Sequence, residues 1–359
     1  MEEMNRSRTL IVVALALAVL PAAAAKGTRS ELNVRPAGAH GPLVQYDLTT
    51  GSKRVVLPAG MLSPDGLRFA FVRGRRLRFY SVAGRGVSFD APAPLRSSVE
   101  AVSPEARFVV LRTGARLRLI DGLRGLTLRK AALPRGFTVD ALSPDGRWLY
   151  LIQHKDGLQY AVRRLNLRTG ALSPNALVQK GEQEQMAGTP AGAIQSPDAS
   201  WQLTLYVNTA KRMSFVHALQ LGQSYTVCLE LPGQGSPAQL RNYSLALSPD
   251  GQHLYAANPA LGVVADLSLK TFQSTVKRFP ATGSAAPSAS ADVSPNGRML
   301  AFSAGSQIWL LDVAFGVVRG PYSADGAVIG LGFADERKLF AARINGPLTA
   351  FDAATGKRD

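Results

Sequence analysis

Short apolar runs recur along this chain, each closed off by turn residues, and runs of that length predict strands rather than helices. Residues 98–102, 137–142, 243–247 and 327–333 each lead into a tight turn built on a variant of Ser-Pro-Asp-Gly. The runs that follow the turn, such as 68–72, 148–152, 201–206 and 299–302, are rich in aromatic and β-branched residues, as strands prefer. A third run comes next, as at 77–82, 215–221 and 308–312. In many repeats it ends in an acidic or amide residue with glycine four positions on: Asp47 and Gly51, Asn166 and Gly170, Asp312 and Gly316, Asp352 and Gly356. That second turn predicts a fourth, outermost strand.

The Ser-Pro-Asp-Gly turns set the period. Seven variants begin at Ser63, Ser103, Ser143, Ser196, Ser248, Ser294 and, in degenerate form, Ala334, with spacings of 40, 40, 53, 52, 46 and 40 residues. Proline fixes φ at the second position, Asp or Asn suits the third, and glycine completes the reversal. Two turn types recurring in phase predict an all-β chain forming a single β-propeller. We read seven four-stranded blades, with six and eight as the alternatives. The stretch 43–57 reads as a third and a fourth strand. An N-terminal outer strand supplied to the last blade would close the ring and cover an exposed edge, leaving one N-terminal strand without a place.

Two repeats resemble known groups. Leu247–Leu267, reading LSPDGQHLYAANPALGVVADL, resembles the repeat of bacterial YVTN-type surface propellers. Val293–Gly316, reading VSPNGRMLAFSAGSQIWLLDVAFG, resembles the repeat of TolB-type periplasmic propellers. The resemblance spans roughly residues 43–356 and rests on turn and strand residues. It therefore implies the fold, WD-repeat-like in plan, and carries no catalytic role to any position. Such groups include exported binding scaffolds, cell-surface proteins and a few enzymes such as lactonases.

The N-terminal stretch has a different pattern. Arg6 and Arg8 precede the apolar residues 10–20, then Pro21 and a run of alanines, Ala22 to Ala25. That order predicts a signal peptide over residues 1–25, with an uncleaved short anchor as the alternative, then a linker at 26–42 and the propeller at 43–359. The expected location is therefore exported: periplasmic, extracellular or at the cell surface. The single cysteine, Cys228, can form no internal disulfide and reads as an inert thiol in an apolar run.

Net charge is +16, unevenly spread. Residues 26–175 hold 25 Lys and Arg against 10 Asp and Glu, whereas 176–359 hold 14 against 13. The turns between second and third strands carry much of the excess, at Arg73, Arg75 and Arg76, at Arg112 and Arg116, and at Lys211 and Arg212. Arginine forks suit phosphate, carboxylate and sulfate, so these residues are the candidate contacts for an anionic partner. The alternative is a solvated arginine-rich surface. A second candidate set is acidic: Glu100, Asp140 and Asp292 lie on innermost strands, where they would face the channel.

Catalytic signals are sparse. His40, His154, His217 and His253 stand singly without zinc-ligand spacing, and no nucleophile elbow or phosphate loop is present. No metal and no cofactor is expected. The stretch 180–192, with its glycines, reads as an insertion looping out from the ring. The function this supports is a non-catalytic binding or scaffold protein of the cell envelope. Its partner would be an envelope protein or an anionic polymer or glycan, with peripheral membrane-surface contact as a further expectation. A hydrolase or lactonase with its site at the channel mouth is the alternative. Nucleic acid is not expected, because the chain is exported and no basic stripe with interleaved aromatics stands out.

Overall fold

The computed structural model, which describes residues 30–35, 40–84, 86–177, 186–286, 288–344 and 346–359, places strands where the apolar runs predict them. They form eight antiparallel sheets, each a blade, in chain order around a central channel. The signal-peptide or anchor stretch lies outside the described residues.

The serine of the first turn explains why that turn recurs. In Ser143-Pro144-Asp145-Gly146, Ser143 Oγ donates to Asp145 Oδ1 at 2.6 Å and accepts from the Trp148 backbone N–H at 2.9 Å. The same arrangement repeats at Ser63, Ser196, Ser248 and Ser294. Each serine is buried, so its hydroxyl must be satisfied within the turn, and the aspartate side chain, or Asn296 in the turn at Ser294, does that. The second turn works through its acceptor side chain: Asp121 Oδ1 receives the backbone N–H groups of Leu123 and Arg124. The residue four positions on adopts a left-handed conformation. It is Gly125 at φ +70°, but Ser224 and Phe272 fill the same place at +58° and +60°.

The blade count of seven is corrected to eight. The outer strand expected to join the last blade stays with its own neighbours. Glu31–Val34 pairs with Leu43–Asp47, which pairs with Lys53–Leu57, and these make the first blade. Glu31–Val34 falls within the stretch expected to be a linker, and it is the strand that makes a separate blade possible. Leu48 N donates to Ser30 O at 2.9 Å, the bond that elsewhere ties the end of a third strand to the start of a second. Residues 43–57 therefore do occupy third- and fourth-strand places, but in the first blade.

The eighth blade has three strands, Val328–Phe333, Lys338–Arg343 and Thr349–Asp352, and an isolated bridge from Phe351 to Arg358 at its outer edge. The ring closes by packing between these terminal blades. Leu32, Val34, Val44 and Tyr46 form one apolar cluster with Phe340 and Ala342. The approach is close: a Cβ added at Gly332 would lie 2.5 Å from Leu32 Cδ1, and one at Gly330 would lie 2.6 Å from Val34 Cγ2.

Residues 186–192 do not leave the ring, contrary to the looped-out insertion expected. Ala187 bridges to Gln159 on the outer edge of the fourth blade, and Thr189–Gln195 is the innermost strand of the fifth. Residues 178–185 lie outside the described residues.

Candidate functional site

Two features stand out, a set of basic turns and a central cavity. Arg73, Arg75 and Arg76 sit in the turn between the second and third strands of blade 2. Arg112 and Arg116 flank the corresponding turn of blade 3. All except the half-buried Arg112 are exposed. Two of the five are engaged: Arg76 pairs with Asp90, and Arg112 Nε donates to Gly114 O at 2.8 Å. Lys211 and Arg212 occupy the matching turn of blade 5, so they share the face but not the neighbourhood of the first two turns.

The channel holds a cavity of about 770 Å³, lined by residues from the first five blades. Successive innermost strands pack closely from blade 2 to blade 4 and again from blade 5 round to blade 1. That packing thins between blades 4 and 5, which supply most of the cavity wall, and also between blades 1 and 2. Its walls mix apolar side chains, among them Met61, Leu62, Ala101, Val139 and Ile194, with polar ones such as Thr138, His154 and Gln202. Arg35 and His40, from the connection after Glu31–Val34, also line it, and His40 Nδ1 lies 3.2 Å from Val99 O of blade 3.

Asp140 is the acidic group of this cavity. Its strand, Phe137–Leu142, pairs regularly with Trp148–His154 except at a β-bulge between Val139 and Ala141, which leaves Asp140 out of register. A bulge re-aims its side chain, and here it sets a carboxyl among apolar walls. Burial raises that carboxyl from its ordinary 3.8 to about 7. No cation offsets the effect, although Arg35 lines another part of the same cavity. Tyr160 and Tyr206 stack at 4.4 Å between ring centroids and line the same wall, and burial pushes both phenols well above their usual range. Behind them His217 is held neutral, its pKa lowered by burial to about 4, with Nδ1 3.5 Å from the Tyr160 hydroxyl. Cys228, half-buried, stands opposite His217 in the next strand.

The other two acids of the expected channel set behave differently. Glu100 also sits at a bulge and is half-buried like Asp140, but its Oε1 accepts from Ser98 Oγ at 2.6 Å. Asp292 is a structural acceptor: its Oδ2 takes the Phe333 backbone N–H of the next blade at 2.9 Å. Among the described residues no three His, Cys, Asp or Glu gather in a way that could hold a metal ion. Sequence reasoning missed Tyr160, Thr204 and Tyr206, which read as ordinary strand residues. Only their place beside a widened channel distinguishes them.

No protein-family model matches the chain, and no curated protein matches it. Solved structures do. The dihydro-heme d1 dehydrogenase NirN in complex with DHE is 17% identical, with a TM-score of 0.53, covering 96% of this chain and 75% of that one. The Myceliophteria thermophila Cps50 (Swd1) β-propeller domain is 12% identical, with a TM-score of 0.51, covering 90% and 99%. Hydrazine synthase of Kuenenia stuttgartiensis is 14% identical, with a TM-score of 0.47, covering 82% and 94%. The first two support the propeller fold, and their descriptions point to no common activity.

Proposed function

We propose that this chain is an exported, non-catalytic propeller of the YVTN or TolB type that binds an anionic envelope partner through its basic face. The observation that carries the reading is the placement of Arg73, Arg75, Arg76, Arg112 and Arg116 on corresponding turns of adjacent blades. Neighbouring turns of one rigid ring present these charges as one surface, which suits a repeating polyanion better than a single small anion. Lys211 and Arg212 extend the same face. The partner is an anionic polymer or glycan, or an envelope protein with an acidic patch, and the order of residues 6–25 supports export to reach it. Co-sedimentation of the protein with a poly(glycerol phosphate) polymer at low and high salt tests the reading. Association should weaken steeply with salt, since exposed charges are screened within about 10 Å at 0.1 M. Salt-indifferent association, or none at low salt, removes it.

The Asp140 carboxyl favours a second reading, a hydrolase or lactonase acting in the channel. A carboxyl titrating near 7 inside a cavity suits a general base. Such an enzyme would hydrolyse lactones or esters at a rate that rises with pH through about 7 and is lost in Asp140→Asn. Hydrolysis unchanged by that substitution removes this reading.

A further inference from the structure

We propose that the central cavity between blades 4 and 5 is a binding site for a small amphipathic amine, whose ammonium group pairs with Asp140. This goes beyond the basic face and does not depend on it.

A carboxylate lodged among apolar walls is unfavourable unless it is paired. Among the described residues, no hydrogen bond or ion pair engages Asp140, and the bulge at Val139 and Ala141 holds it against the cavity. The polar atoms around it point the same way. Thr204 is 7% exposed and lines the cavity, yet its Oγ1 makes no hydrogen bond. Gln195 Nε2, on the facing innermost strand, is buried and also unpaired. Three polar groups without partners, on the blade 4 and blade 5 sides of a mixed apolar and polar cavity, call for a ligand that is polar at one end. A bound amine donates to the Asp140 carboxylate and the Thr204 hydroxyl oxygen, while an acceptor on the same ligand takes the Gln195 amide proton. The rest of the ligand lies against Met61, Leu62, Val139 and Ile194. Tyr160 and Tyr206 complete the wall with aromatic carbon, which favours a cation over an anion. At about 770 Å³ the cavity falls in the range that encloses most of a drug-sized molecule.

Several titratable groups surround this position. Tyr160, Tyr206 and Cys228 lie on the blade 4 and blade 5 strands behind Asp140, with His217 next to them. Thr138 Oγ1 is 2.9 Å from His154 Nε2 on the same blade, and Arg35 and His40 line other walls of the cavity. Acidification neutralises Asp140, and that loss of charge expels a cation.

The test uses the full chain and three indole probes in titration calorimetry: tryptamine, its neutral isostere tryptophol and the anionic indole-3-propionate. At about pH 8, tryptamine should bind the wild type in preference to both analogues. Asp140→Asn should weaken tryptamine about tenfold or more while changing tryptophol by less than about twofold. Lowering the pH to about 5.5 should cost the wild type a similar factor for tryptamine, a readout that needs no variant. Thr204→Val should weaken tryptamine by about threefold to tenfold. The proposal is overturned if tryptamine does not bind the wild type, if Asp140→Asn binds it equally well, or if indole-3-propionate is the preferred probe.

Discussion

The Asp292 carboxylate accepts the backbone N–H of Phe333 at 2.9 Å, tying the innermost strand of blade 7 to that of blade 8. Ser290 Oγ accepts the Leu331 N–H at 3.1 Å, two residues earlier on each strand. An innermost strand has one edge with no ladder partner, and these side chains satisfy its donors. Asp292→Ala should therefore destabilise the fold by about 1–3 kcal/mol, with a smaller loss for Asp292→Asn, which keeps an acceptor. Chemical denaturation measures both. A stability unchanged in the alanine variant would show that the contact contributes nothing.

The turn chemistry makes a second prediction. Replacing Pro64, Asp65 and Gly66 together by alanine removes the partner of the buried Ser63 hydroxyl and places alanine at φ +74°. A loss of about 2–4 kcal/mol is expected, with no selective effect on ligand or polymer binding. A variant that kept its melting temperature but lost binding would make the turn functional instead of structural.

Stability against pH should show two opposed contributions. Asp140 is raised from 3.8 to about 7 in the folded state, so its protonated form favours folding; stability falls as pH rises across that interval and levels off above it. His217 is lowered from 6.5 to about 4, so the unfolded state takes up the extra proton; stability falls as pH drops from 6.5 towards 4. Each contributes at most about 1.4 kcal/mol per pH unit, with opposite signs, so they largely cancel between about pH 4 and 6.5. Relative to wild type, Asp140→Asn should therefore become less stable on acidification, and His217→Gln more stable. Denaturation midpoints at three pH values across the interval check both, and parallel profiles for all three proteins would refute the assignment.

Charge reversal at Arg75 and Arg76 should slow association with poly(glycerol phosphate) and lower the melting temperature only slightly, since both residues are exposed and the Arg76–Asp90 pair it breaks lies at the surface. The same change at Lys357 and Arg358, on the opposite side of the sequence charge divide, should have a smaller effect. Stopped-flow association rates at two salt concentrations decide it. Equal slowing by both pairs would reduce the effect to net charge alone.

The strands, both turns and the ring were legible because local chemistry writes them: Ser143 with Asp145, or Asp121 with Gly125, needs nothing from elsewhere in the chain. The same turn was hidden at Gln220 and Ser268, where Ser224 and Phe272 take the left-handed position that glycine marks in other blades. Ser224 also holds a tertiary contact, its hydroxyl lying 2.7 Å from that of Tyr150. Closure was misread because it turns on Glu31–Val34, a short strand that pairs locally with Leu43–Asp47 and carries no turn motif to mark it as part of a blade. The stretch 186–192 looked like a loop because it pairs with Leu158 and Tyr160 through backbone atoms, which leave no compositional trace. Asp140 was placed on an innermost strand from its repeat position alone. Its neighbours Thr204 and Tyr206 come from another blade and carry no motif.

The meeting of the first and last blades gives the ring a seam. Many closed sheets are laced by a strand borrowed across the junction, whereas here each terminal blade is built from its own end of the chain. What holds the seam is the apolar cluster of Leu32, Val34, Val44 and Tyr46 with Phe340 and Ala342, with Leu32 and Val34 set close against Gly332 and Gly330. Mechanical load applied to the two ends would then unzip blades from the seam inward, one at a time. A circular permutant that fuses the ends and opens the chain in a turn elsewhere would move that starting point to the new cut.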